Sequence, residues 1–99
     1  MTITGPQAHA ARALVEWPRD HVARLSGLTV DALRAFERGK IHPGPDAVAR
    51  LRAALESGGA VFIDENGAGV GVHLKFSSRD ARSVNRLENE GGPVGDDDV

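Results

Sequence analysis

The run Arg19–Gly39, RDHVARLSGLTVDALRAFERG, constrains the fold of this chain more than any other stretch. It holds two short amphipathic patterns at helical spacing, separated by Ser26-Gly27-Leu28-Thr29. Gly27 permits a tight turn, because a residue without Cβ enters the left-handed region at no steric cost. Thr29 is a good N-cap for the second pattern, its hydroxyl able to accept from an orphan backbone N–H. Gly39 stands where a left-handed residue commonly closes a helix. Two helices of this length cannot bury their apolar stripes alone, so the flanking chain must supply the rest of a core.

The flanks read the same way. Thr4-Gly5-Pro6 opens a first helix running to about Glu16, with Ala11, Leu14 and Val15 as its expected inner stripe. Trp17-Pro18 interrupts it, since the residue before a proline is pushed out of the helical region. A second helix spans roughly Pro18 to Ser26 and is expected to bury Val22, Ala23 and Leu25. The third runs from Val30 to about Arg38 with Leu33 and Phe36 inward. After the Pro/Gly loop Lys40–Pro45, a fourth spans about Asp46 to Ser57, with Val48, Leu51 and Leu55 at helical spacing. Gly58-Gly59 stops it. Trp17 is expected to anchor the core between the first two helices.

From Ala60 the period changes to two. Ala60–Asp64 and Val70–Phe76 are strand-like, and Val70, Val72, Leu74 and Phe76 share one face of the second. The linker Glu65–Gly69 contains Asn66-Gly67, a turn signal that predicts a β-hairpin. A phosphate-loop reading of this glycine-rich linker fails, as no lysine of that motif follows. A two-stranded ribbon alone is marginal in water, so its apolar residues must pack on the helices or on a second subunit. From Ser77 the chain has little apolar content, three arginines against six acids and a Gly-Gly-Pro break. Such a composition predicts a disordered acidic tail, with at most a transient helix near Arg79–Glu88. The expected fold is therefore mainly α: a four-helix helix-turn-helix domain (1–58), a two-stranded β-hairpin extension (59–76) and a disordered tail (77–99).

Charge and residue usage narrow the function. The formal charge is −2, yet between Arg12 and Arg52 eight Lys and Arg stand against five acids, a local charge of +3. That distribution suits contact with a polyanion, with modest and salt-sensitive affinity. There is no cysteine, which excludes disulfides, thiolate metal sites and cysteine nucleophiles. His9, His21, His42 and His73 lack paired ligand spacing, so no metal or other cofactor is expected. No serine sits in a nucleophile-elbow pattern, and no enzyme is expected. No apolar run approaches the roughly 18 residues that span a bilayer. The opening MTITGPQAHAAR has neither a basic start nor a continuous apolar block, so a signal peptide is not expected. These features together read as a cytoplasmic protein.

A helix-turn-helix holds its second helix where it can enter the major groove of DNA. The residues that carry a more specific likeness are Arg12, Trp17, Val22-Ala23, Gly27, Leu28-Thr29, Leu33, Phe36 and the end Glu37-Arg38-Gly39, in order and at matching spacing. On these the stretch from Arg12 to about Arg52 resembles the phage-repressor helix-turn-helix family, also called Cro-like or XRE. The run from Ile3 to Phe76 looks like small bacterial regulators of that family. The resemblance implies an internal salt bridge between Arg12 and Glu37. It places Arg19, Arg38, Lys40 and His42 against DNA phosphates. Base reading falls to the exposed face of the third helix, Thr29, Val30, Asp31 and Arg34. Val30 would meet a thymine methyl, Asp31 a cytosine amino group and Arg34 a guanine or a phosphate. The phage members often carry glutamines early in this helix, and the acidic Asp31 departs from them. The implied activity is transcription regulation, by repression, as a homodimer on an inverted-repeat operator in double-stranded DNA. Val61, Ile63, Val70, Val72 and Leu74 of the hairpin are the expected dimerisation residues. The weak net charge and Asp31 keep a second class open, an antitoxin or anti-activator-like module that binds a protein partner. A heterodimerising partner that titrates another regulator is a third.

Overall fold

The start of each helix follows from a local cap or proline. In the structure of the protein, a computed structural model that describes residues 2–75, α1 (Gly5–Val15) is opened by Thr4. The Thr4 hydroxyl accepts from Gln7 N at 3.1 Å, and Gln7 Oε1 accepts from Thr4 N at 2.8 Å, closing a reciprocal capping box. Helix α2 (Arg19–Ser26) follows Pro18, which stands just outside it as the N-cap. Helix α3 (Val30–Glu37) is capped by Thr29, and α4 (Pro45–Ser57) begins at a proline. Strands β1 (Ala60–Ile63) and β2 (Gly71–Leu74) form one antiparallel hairpin, with Ala60 opposite Leu74 and Phe62 opposite Val72. The fold is mostly α, four helices and a hairpin. Among the described residues, no helix is long and apolar enough to cross a membrane. Phe76 and the expected disordered tail 77–99, with its transient helix, lie outside the described residues.

One core runs through all six elements. Leu33, Leu51, Leu55, Val22 and Val48 are its largest fully buried apolar side chains. Phe36, Ala60 and Phe62 extend it to the hairpin, and Trp17, Leu28 and Val72 pack against its rim. The side chains of Val22, Val48, Leu51 and Leu55 are those the helical spacing places inward. Trp17 lies at the junction of α1 and α2 and covers Gly58, where a Cβ would come 2.8 Å from the ring.

Two of the residues expected inward, Leu14 and Leu25, turn outward, while Ala11, Val22 and Ala23 are buried and Val15 packs on the core. In α1 the buried residues are Gly5, Gln7, Ala8 and Ala11, whereas Leu14 is 38% exposed and Val15 is half-buried. The reason is a close helix approach: a Cβ built on Gly5 would overlap the Phe36 carbonyl oxygen. Only the small-residue face of α1 can sit that near α3, so the larger Leu14 turns out. Helix α2 buries Ser26 with Val22 and Ala23, while Leu25 is 51% exposed. Ser26 is tolerated inside because its hydroxyl donates to Val22 O at 2.9 Å and Ala23 O at 3.2 Å. Arg50 of α4 donates to Ser26 O at 3.0 Å and so satisfies the end of α2.

The Gly5 contact gives a direct test. Alanine normally stabilises a helix interior relative to glycine by roughly 0.5–1 kcal/mol. Here the added methyl meets backbone, which cannot rotate away. Gly5→Ala is expected to destabilise by about 1–3 kcal/mol, read from the urea midpoint. A midpoint at or above that of the wild type would show that α1 and α3 are not in this contact.

The hairpin strands are shorter than their apolar pattern, and the loop 64–70 is correspondingly long. Asn66 Oδ1 accepts from Ala68 N at 3.1 Å and Glu65 Oε2 from Gly67 N at 3.1 Å. Gly67 and Gly69 take φ of 93° and 103°, which side-chain-bearing residues rarely adopt. Arg52 of α4 ties the hairpin down from the other side. Its guanidinium bonds Glu56 at 3.0 Å and Asp64 at 3.5 Å and lies 5.4 Å from the centre of the Phe62 ring. Its hydrogen bond to Glu56, ahead of the Asp64 charge, holds its pKa above the ordinary value.

Candidate nucleic-acid interface

Helix α3 is fixed at both ends by backbone chemistry. Thr29 Oγ1 accepts from Ala32 N at 3.0 Å. At the far end Gly39, with φ 71°, donates to Phe36 O at 2.9 Å while Lys40 N donates to Ala35 O at 2.8 Å. These paired bonds form a Schellman closure, which stops the helix sharply. Leu33, Phe36 and Glu37 hold the inner face. That leaves Asp31 and Arg38 exposed and Arg34 half-exposed, with Thr29 and Lys40 exposed at the two ends. Val30 is half-buried and packs against the core.

Beneath this helix lies a shielded charge cluster. The Glu37 side chain is 1% exposed and accepts from Arg12 Nε at 2.8 Å and Arg12 Nη2 at 3.2 Å. Arg19 reaches the same carboxylate from the start of α2, its Nε at 3.3 Å and Nη2 at 3.2 Å from Oε1. Arg12 also donates from Nη1 to Trp17 O at 3.4 Å. One carboxylate thus joins α1, α2 and α3. Two cations meet one anion beside the start of α2, whose first turn also carries Asp20 and where no side chain caps the helix. Such an end, with a cation beside its first amides, attracts a phosphate oxygen.

The sequence-predicted residues are brought together unequally. Thr29, Asp31 and Arg34 share the outer side of α3, and Arg34 Nη1 bonds Asp31 Oδ1 at 2.6 Å. Arg38 and Lys40 continue along its C-terminal end. His42 sits edge-on to Phe36, ring centres 5.6 Å apart, and its Nδ1 accepts from Gly44 N at 3.0 Å. Arg19 is half-buried against Glu37, with 26% of its side chain exposed. The hairpin residues divide between two faces. Val72 and Leu74 lie opposite Phe62 and Ala60 and turn toward the helices, while Val61 and Ile63 lie opposite His73 and Gly71 on the other side. Val70 belongs to the loop and is 43% exposed.

Two features escape a residue-by-residue reading. One is the Arg19–Glu37 contact, which no sequence spacing announces. The other is the Asp31–Arg34 pair, which the i,i+3 spacing does announce. Among the described residues no group of three or more His, Cys, Asp or Glu is placed to hold a metal ion. No family model matches the chain, and no curated protein matches it.

Proposed function

We propose that the protein is a sequence-specific DNA-binding regulator whose α2–turn–α3 unit is a helix-turn-helix, with α3 as the helix that enters the major groove. The observation that carries this reading is the division of α3. Leu33, Phe36 and Glu37 lock it into the core, while Thr29, Asp31, Arg34 and Arg38 lie along its outer side, Asp31 and Arg34 bonded to each other. A helix so held can present a fixed set of polar groups to base edges. Arg38, Lys40 and the start of α2 flank it with positive charge suited to phosphates. Repression by occupying a promoter is the simplest mode of action for such a unit. The resemblance of Arg12–Arg52 to Cro-like regulators points the same way.

We assign it to a homodimer. The hairpin exposes Ile63 at 39% and Val70 at 43%, and a two-stranded ribbon has unpaired backbone groups along its outer edges. Pairing of symmetry-related edges would join two copies through one continuous ribbon.

The test is selection of binding sites by the purified chain from random duplex DNA at near-physiological salt. Two inverted half-sites centred about one helical turn apart are expected. Arg34→Ala is expected to weaken the selected site by about 1–3 kcal/mol and relax preference at one base pair per half-site. No enriched motif, with only salt-labile binding, would instead favour a protein partner for this surface.

A further inference from the structure

The exposed pair on α3 carries an inference that rests on the DNA-binding reading and goes beyond it. Asp31 Oδ1 accepts from Arg34 Nη1 at 2.6 Å, although 92% of the Asp31 side chain and 37% of that of Arg34 are exposed. A solvent-exposed ion pair between flexible side chains adds little to folding. Asp31 also lies in the first turn of α3, where the helix dipole favours an acid. The dipole accounts for a carboxylate there, but not for its hold on a guanidinium three residues on.

That hold has a chemical consequence. A free arginine on a DNA-facing helix meets the nearest phosphate as readily as a base, because both accept its N–H groups. Asp31 takes one N–H of Arg34, fixes the guanidinium plane and leaves the remaining fork open. Its own negative charge opposes the approach of a phosphate oxygen. Guanine N7 and O6, two acceptors matched to parallel N–H groups, remain the fitting target. We infer that Asp31 is a specificity-determining positioning residue, which steers Arg34 off the phosphate backbone and onto a guanine in each half-site.

The experiment compares the full-length wild type, Asp31→Asn, Arg34→Ala and the double variant. Each is taken through selection from random duplexes, then titrated against its selected site and a scrambled duplex at one salt concentration. The wild type is expected to require guanine at one position of each half-site. Asp31→Asn should lose that requirement, bind scrambled DNA more tightly and show a specific-to-nonspecific ratio lower by about 10-fold. In the Arg34→Ala background the same change should leave base preference unaltered, since Asp31 acts through Arg34. A ratio and motif for Asp31→Asn identical to the wild type would overturn the inference while leaving DNA binding intact. An equal loss of preference in both backgrounds would also overturn it, by showing that Asp31 reads a base on its own. A wild type that enriches no motif would overturn the DNA-binding reading and this inference with it. A merely structural role for Asp31 would shift the unfolding midpoint without changing which base is selected.

Discussion

Glu37→Ala is expected to lower the unfolding free energy by about 3–5 kcal/mol, the cost of leaving a shielded charge without its partner. A domain of this size holds roughly 5–15 kcal/mol in all, so the loss is a large share of the total. The size of the effect follows from what remains. The carboxylate is 1% exposed and accepts four N–H groups from two arginines. Without it, Arg12 and Arg19 face one another with nothing between them, and Arg12 is only 15% exposed. Repulsion between like charges is then added to lost hydrogen bonds. Urea titration followed by circular dichroism would measure it.

The partner variants sharpen the test. Arg19→Ala leaves Glu37 bonded twice to Arg12, and the Arg19 side chain is 26% exposed, so a loss of about 1 kcal/mol or less is expected. Arg12→Ala should cost more, because Arg12 also donates to Trp17 O. Combining Arg19→Ala with Glu37→Ala should recover part of the Glu37→Ala deficit by removing one of the two stranded cations. The position of Glu37 at the end of α3 supports the same view. An acid in the last turn is disfavoured by the helix dipole, so only the two arginines account for its stability there. If Glu37→Ala unfolds at the wild-type midpoint, the cluster does not hold α1, α2 and α3 together. If it weakens DNA binding as well, the tilt of α3 depends on that carboxylate.

How much of this could be read from the chain depended on the range of the interaction. The ends of α3 were legible because Thr29 and Gly39 act within three residues of themselves. The inner residues of α4 were legible because Val48, Leu51 and Leu55 are large and fall three and then four residues apart, the spacing of one helix face. Leu14 of α1 turns outward for the converse reason. Periodicity weights large apolar residues, and Leu14 outweighs Ala8 although α1 packs by its smallest side chains. The need for Gly5 arises from the Phe36 carbonyl, 31 positions away in the numbering, and no local pattern encodes that meeting. Within the candidate interface, Asp31 and Arg34 stand at pairing distance in the sequence, and the structure joins them where the resemblance sets each on the DNA separately. The Arg12–Glu37 link came from the family resemblance, since neither residue marks the other by spacing. The same resemblance sets Arg19 against phosphate and carries no sign of its hold on Glu37.

Gln7→Ala is expected to cost about 2–4 kcal/mol, more than an exposed polar residue of α1 could contribute. Gln7 is 4% exposed and works at two places at once. Its Oε1 accepts from Thr4 N at 2.8 Å, completing the cap of α1. Its Nε2 donates to Ile63 O at 3.2 Å and Gly71 O at 2.9 Å, one carbonyl on each strand where Ile63 and Gly71 face each other. Truncation removes part of a helix cap, worth about 1 kcal/mol, and strips a donor from two carbonyls at the loop end of the hairpin. The ribbon has only four residues per strand, too little to persist without an anchor. Hydrogen exchange should therefore show the amides of β1 and β2 losing protection ahead of those of α2, α3 and α4. Gln7→Glu sharpens the result, because a carboxylate keeps the cap but cannot donate and sets a negative charge against both carbonyls. It should release the hairpin while leaving the cap of α1 in place. Uniform loss of protection in both variants would mean that Gln7 supports the domain as a whole and does not tether the ribbon. Selective release would make the hairpin the less stable unit, and a dimer built on it should then dissociate in Gln7→Glu before the helices unfold.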